Sequence, residues 1–414
     1  MKRNLLFIVL MSCSTFLLAQ PELDSWIMTT GYAKYTTGGP TITMADSGDV
    51  QRVCYNTTDV YIQATGLAGT YTMGPWVGNP NIPSGQNYTF RLPRNPQQQT
   101  GPKTTVPLFG SVGVAVNGVV FFGYGDARSY KASTGTNEPN GDGNWYSDAW
   151  VSEGSTMDGN GNGHPQQQGA YHYHANPIQL YSTAGTSHSP IIGFAYDGYP
   201  VYGPFGYANA MDSTSGISRM VPGYTLRSIT DRSTLPGGSP SVPAGPSLSA
   251  YALGTYIQDY EFTGTGDLDE YNGRWCVTPE YPGPVGTYAY FMSTDSNGDP
   301  KFPYLFAAEY YGQVTTTGTN NTIPGNVTCG MVTNVPQLQQ HEEVNIYPNP
   351  ASDQITIEYG NQLPNQVIVM NALGEVVYSD QPAQTVNVSR LPAGIYQLIL
   401  QYDNQLVNHK FVKH

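Results

Sequence analysis

The chain has 414 residues, of which only 11 % are charged, while Gly (47), Pro (32) and Tyr (32) are abundant. A chain of that length buries a core without metal or disulfide staples, and its turn formers and aromatics fit the short strands of an all-β fold. Lys and Arg number 17 against 30 Asp and Glu, a net charge of −13; such a chain repels phosphate backbones and anionic membrane surfaces, so no nucleic-acid partner is expected.

The N-terminus reads as an address. Lys2-Arg3, the largely apolar run Leu5 to Leu18 and the small-residue site at Ala19 form a secretory signal peptide over residues 1–19. No later run approaches the roughly 18 apolar residues that a membrane-spanning helix needs, so no transmembrane span is expected.

Residues 24–312 form the main domain, mainly antiparallel β. Within it, Gly113–Gly123 aligns without a gap on Gly193–Gly203, and each stretch sets Asn117-Gly118 or Asp197-Gly198 between two apolar runs. That is a hairpin signal, and it predicts type I′ turns with positive φ at both central residues. A second correspondence pairs Gly169-Ala-Tyr171-His172-Tyr173-His174 with Gly286-Thr-Tyr288-Ala289-Tyr290-Phe291. Together they suggest an internal duplication, roughly 106–180 and 186–300.

The two copies differ at the positions where chemistry would lie. Strand residues two apart share a face, so His172 and His174 project together and Tyr171 and Tyr173 take the other side. The second copy keeps both tyrosines and replaces the histidines with Ala289 and Phe291, which points the histidines toward function. Four of the seven histidines (His164, His172, His174 and His188) fall within 25 positions. Neutral imidazole is a good ligand for copper or zinc, so the expected metal ligands are His164, His172 and His174, with Asp158 as a fourth ligand or a partner behind one. Asp158-x-Asn160-x-Asn162-Gly163 also copies the start of an EF-hand loop, but Gly169 stands where the bidentate Glu belongs. Only a looser calcium site is left open. Two other classes remain: a non-catalytic glycan- or protein-binding module using Tyr196, Tyr199, Tyr202 and Tyr207, and a metal-free hydrolase with a histidine base. No hydrolase elbow, phosphate loop or dinucleotide fingerprint is present, and no catalytic residue is assigned. Asp197 reads as a turn residue because its counterpart is Asn117, and Asp267, Asp269, Glu270 and Arg274 read as turn and surface-pair contacts.

Cys13 departs with the signal, leaving Cys54, Cys276 and Cys329 with their pairing open. Residues 313–342, rich in Thr, Asn and Gln, are expected to form a flexible linker. Residues 343–414 alternate as half-buried strands between turns and fit a small β-sandwich.

Four motifs in that last segment, Asn345-Ile-Tyr-Pro-Asn-Pro-Ala351, Asn371-Ala-Leu-Gly374, Leu391-Pro-Ala-Gly-Ile-Tyr396 and Lys410-Phe-Val-Lys413, resemble the type IX secretion C-terminal sorting domain. The resemblance implies passage across the outer membrane, contact with the type IX secretion machinery, and release or attachment at the cell surface. In the main domain, Tyr171-His172-Tyr173-His174 with Asp158, Asn160, Asn162 and His164 before it resembles the YHYH domain family. Ile192–Pro204, Asp267–Arg274, Thr278–Pro282 and Phe302-Pro303-Tyr304 extend the likeness. Family members often carry Cys where Tyr271 stands here. The family brings no settled activity, so the resemblance names the domain without supplying a reaction.

Overall fold

Both Asx-Gly stretches form hairpins, and these lie side by side at the centre of an eight-stranded sheet in the computed structural model. The structure describes residues 20–29, 31–330, 344–359, 363–364, 366–371, 376–402 and 405–414. The expected signal peptide, residues 331–342 of the expected linker and residue 343 of the expected C-terminal domain lie outside the described residues. Strands hold 36 % of the chain and helices 7 %, so the fold is all-β as read from the sequence.

The sheet is built from β1 (Ser111–Ala115), β2 (Val120–Phe122), β3 (Gly163–Pro165), β4 (Tyr171–Tyr173), β5 (Ile191–Ala195), β6 (Pro200–Tyr202), β7 (Gly273–Cys276) and β8 (Thr287–Phe291). Across the sheet the order is β3-β4-β2-β1-β5-β6-β8-β7, two four-stranded halves in mirrored order. At the centre β1 and β5 run antiparallel with Val114 opposite Phe194. Outward from there, β2–β4 and β6–β8 are both parallel, and β4–β3 and β8–β7 both antiparallel. The two aligned stretches of sequence are thus two structurally equivalent halves.

The turns differ from expectation. Only Gly118 (φ 75°) and Gly198 (φ 86°) lie in the left-handed region, while Asn117 and Asp197 do not. Gly118 N donates to Ala115 O and Ala115 N to Val119 O, and Gly198 and Ala195 repeat the arrangement. These are three-residue loops, a type I turn closed by a left-handed glycine, rather than two-residue type I′ turns. The change has a use. It turns the Asn117 and Asp197 side chains inward, where Asn117 Nδ2 donates to Tyr173 Oη (3.0 Å) and Asp197 accepts from Tyr290 Oη (2.6 Å).

A second sheet, ordered 328–330, Val50–Tyr55, Asp59–Ala64 and Tyr88–Pro93, shares one apolar core with the first. Its strands contribute Val53, Val60, Ile62 and Phe90, packed with Val112, Val114, Phe121, Phe194 and Val201, all fully or almost fully buried. Each such side chain contributes about 1.5–3 kcal/mol on leaving water.

The linker reading over 313–330 does not hold. Gln313 N donates to Gln97 O, Thr89 N in the outer strand 88–93 donates to Thr319 O while Asn321 N donates to Thr89 O, and Thr328–Gly330 pairs with Val53–Tyr55. A Cys54–Cys329 disulfide locks the second contact, and Cys276 is a buried free thiol. Polar side chains made the segment look solvated. Its backbone groups instead cover both edges of the second sheet, whose unpaired amides and carbonyls need partners.

Residues 344–414 form the expected sandwich. A three-stranded sheet (345–347, 354–358, 385–387) and a four-stranded one (376–380, 366–370, 394–402, 405–413) enclose Ile355, Ile357, Val367, Val369, Leu398 and Phe411.

Burial raises the Asp197 carboxyl from the ordinary aspartate range to about 6. A carboxyl raised on folding binds protons that the unfolded chain does not hold, so its contribution to stability grows as pH falls from about 7 towards 4 and is lost as pH rises through 6. Denaturant melts of the wild type and Asp197→Asn over that range should show the wild-type advantage growing on acidification by something on the order of 3 kcal/mol.

Candidate metal centre

The outer strands of the first half carry the chemistry. Strand β3 returns against β4 with Gly163 opposite Tyr173, His164 opposite His172 and Pro165 opposite Tyr171. The pairing is close because residue 163 has no side chain. A Cβ there would lie 2.4 Å from Tyr171 Cζ and 2.9 Å from His172 O. Tyr171 and Tyr173 point into the core, where both hydroxyls meet Tyr71 Oη (3.0 and 2.7 Å). His172 and His174 take the opposite face and meet His164 there.

The imidazoles converge through their Nε2 atoms: His164 to His172 is 3.0 Å and His172 to His174 is 3.1 Å. Their other nitrogens are pinned, His172 Nδ1 to Ala170 O (3.0 Å), His174 Nδ1 to Gly123 O (2.6 Å) and His164 Nδ1 to Thr156 Oγ1 (3.1 Å). The Phe122 ring stacks on His172 at 4.0 Å. An apolar recess lined by Val106, Phe122, Tyr124, Pro303, Leu305 and Phe306 lies beside His174.

A fourth donor closes the set. Helix α1 (Ala149–Glu153) is capped by Asp148, whose Oδ1 accepts from Val151 N (3.0 Å) and from Tyr304 Oη (2.5 Å). The helix ends on Glu153, whose Oε2 lies 3.2 Å from both His164 Nε2 and His174 Nε2. The four donor atoms of Glu153, His164, His172 and His174 lie within 4.8 Å of one another. Glu153 is the most exposed of them, its side chain 28 % accessible, so the cluster faces solvent through its carboxylate.

The electrostatics favour a cation. Burial, followed by the charges of His174 and His164, pushes His172 well below the ordinary histidine range. Burial works to raise Glu153, but hydrogen bonds from His164 and His174 outweigh it and hold the carboxyl below its usual range. Asp126 and Asp148, both close enough to feel His174, are raised to about 6, each mainly by burial. Three carboxyls therefore surround three imidazoles.

The structure brings together His164, His172 and His174, but not Asp158. That carboxylate lies on the tyrosine side of the sheet, where it accepts from Tyr171 Oη (2.6 Å), Asn160 N (3.0 Å) and Gly161 N (2.5 Å). Asn160 Nδ2 donates to Thr72 O and Gly74 O, and Asn162 Nδ2 to Asn176 O. The EF-hand-like spacing is thus a turn that spends its side chains on protein partners, not an array of oxygens facing a shared centre. Sequence reasoning missed Glu153; a carboxylate on a five-residue helix eleven positions before His164 has no spacing signature. His188 lies apart, against Tyr202, Tyr207 and Phe291. Tyr196, Tyr199 and Tyr202 are buried in the core, so they present no sugar-binding face.

Fold and cluster together define an all-β domain whose edge strands bring three imidazoles and a carboxylate to one point. The chain belongs to the YHYH protein family, whose model matches residues 89–301, over half of the sequence. Residues 345–414 match the secretion system C-terminal sorting domain. The protein is accordingly exported by type IX secretion to the cell surface or extracellular space, and this domain engages the secretion machinery. No helix among the described residues is long and apolar enough to cross a membrane. No curated protein matches the sequence. Among solved structures the chain is similar to PorZ, described as an essential bacterial surface component of the type IX secretion system of Porphyromonas gingivalis. That likeness has 10 % identity and a TM-score of 0.17 over 91 % of this chain, which spans about half (52 %) of the PorZ chain, and it carries no structural argument.

The equivalent glycine of the second half, Gly273, has the same restriction, with Tyr288 Oη 2.4 Å and Ala289 O 2.7 Å from a Cβ. Gly163→Ala and Gly273→Ala should each destabilise the fold by about 1–3 kcal/mol in denaturant melts through overpacking. Only Gly163→Ala should also disturb the imidazole cluster, read as altered histidine resonances by NMR.

Proposed function

We propose that this exported protein binds one copper or zinc ion through Nε2 of His164, His172 and His174 and the carboxylate of Glu153. The observation that carries the reading is the contact between His172 and His174. Each donates its Nδ1 hydrogen to a backbone carbonyl, which can only accept, so in the neutral rings both Nε2 atoms carry lone pairs. Two lone pairs 3.1 Å apart repel unless a proton or a metal ion lies between them. Burial and the neighbouring imidazoles disfavour a proton on His172, and a metal ion satisfies both lone pairs at once.

The donor set agrees. Three nitrogens and one carboxylate oxygen suit zinc or copper, whereas calcium and magnesium prefer oxygen throughout. The backbone carbonyls behind His172 and His174 fix the tautomer and ring orientation that ligation requires. Such an ion supplies Lewis acidity, or redox chemistry if it is copper. Glu153 holds the solvent-facing side of the set, and the apolar recess keeps water from the other.

Elemental analysis of the purified chain should find close to one equivalent of zinc or copper. His172→Ala/His174→Ala should lose it while keeping the wild-type far-UV circular dichroism, and Glu153→Gln should weaken binding by at least about tenfold. Because the ligands must be deprotonated, affinity should fall as pH is lowered. A wild-type chain that takes up neither metal after exposure to both would overturn the reading.

A further inference from the structure

The mirrored sheet has a second cluster at the place that matches the metal centre. Arg274 stands opposite Ala289 as His164 stands opposite His172, and the aligned segments put Phe291 in the place of His174. Three imidazoles are thus replaced by a guanidinium, a methyl group and a phenyl ring. A fourth group comes from another direction. His188, just ahead of β5, sets its ring 4.8 Å from Tyr207, 5.0 Å from Tyr202 and 6.0 Å from Phe291. The Arg274 guanidinium lies 5.4 Å from the same Phe291 ring, and its Nη2 donates to Tyr207 O at 2.6 Å.

Two buried polar atoms in this aromatic box have no partner, His188 Nε2 and Arg274 Nε. His188 is 8 % exposed, and its other nitrogen is bonded to Ser189 O (2.7 Å). No carboxylate among the described residues pairs with Arg274, whereas buried Arg232 holds Asp259 with two 2.8 Å hydrogen bonds. The Arg274 side chain as a whole is half-buried, but its Nε is shielded from water, and an unpaired buried donor is costly. The nearby carboxylate, Glu280, is taken up by Tyr202 Oη (2.9 Å). The remaining titratable groups around the box are Tyr202, Tyr207 and the buried Cys276 thiol.

The guanidinium excludes a metal, since it is permanently charged and has no lone pair to give. What its Nε lacks is an oxygen acceptor, the neighbouring Cys276 thiol being a weak one. We propose that this box binds a small carboxylate, one oxygen accepting from Arg274 Nε–H and the other from His188 Nε2–H, with Tyr207 and Phe291 against its carbon end. His188 takes a proton from solvent as the anion arrives, which gives Nε2 the hydrogen it donates and leaves the net charge of the box unchanged. A carboxylate offers one oxygen to each donor and a carbon end to the rings; phosphate has no apolar end to place there.

Acetate and inorganic phosphate, titrated separately into the full chain, test this by calorimetry, with the His188 Cε1–H resonance followed by NMR and assigned from its loss in His188→Gln. Acetate should bind saturably, shift that resonance downfield and raise the pH at which it titrates. Arg274→Gln should weaken acetate binding by at least about tenfold, and His172→Ala/His174→Ala should leave it unchanged. Should Arg274→Gln fail to fold by circular dichroism, His188→Gln must show the calorimetric loss instead. No saturable acetate binding, binding unaltered in the folded variant, or binding of phosphate alone would each overturn the proposal.

Discussion

A missing side chain at position 163 sets the geometry of the imidazole cluster. Because Gly163 lets β3 close onto the Tyr171 ring, His164 comes to stand across from His172. The same closeness holds the Tyr171 hydroxyl against Asp158, at the start of the turn that leads into β3. Backbone pairing, a buried tyrosine–carboxylate hydrogen bond and the meeting of two imidazoles therefore depend on one another. The remaining members are added from outside this unit: His174 by the residue that follows β4, and Glu153 by a short helix.

The second half serves as an internal control. It repeats Gly163 as Gly273, Tyr171 as Tyr288 and Tyr173 as Tyr290, and it repeats the tyrosine–carboxylate bond as Tyr288 to Asp269 (2.9 Å). All of these persist where no imidazole cluster exists, so they belong to the fold. That matters for the buried tyrosine network around Tyr71, which lies directly behind the histidines and resembles a redox relay. The strand tyrosines recur as Tyr288 and Tyr290 in a half without histidines, which argues for a structural role for the pair. At the positions that form the cluster, the halves differ as His164, His172 and His174 against Arg274, Ala289 and Phe291.

Much of this was legible in the sequence wherever local physics decides. Asx-Gly between apolar runs gave both hairpins, though turn length was misread because a left-handed glycine serves two- and three-residue loops alike. Strand alternation put His172 and His174 on one face before any coordinates. The encounter of His164 with His172 was not readable, because residues 166–170 between their strands carry no short-turn signature and register is a tertiary choice. Asp158 misled for an instructive reason: the residues that favour a cation loop also favour a self-bonded turn, and only the position of Tyr171 distinguishes them. The segment 313–330 misled similarly, since polar side chains say nothing about where the backbone hydrogen bonds go.

The Cys54–Cys329 bond lies almost at the junction with the part of the chain that leads to the sorting domain. A terminal strand held only by hydrogen bonds would peel residue by residue under tension from its free end. Here a pull applied beyond Gly330 meets a covalent bond to an inner strand within one residue of that point, so the load passes into the sheet as shear rather than as unzipping. A cut made beyond the cross-link likewise leaves the folded body with a sealed edge. The domain that carries the imidazole cluster is in this sense mechanically insulated from the handling of the one that exports it.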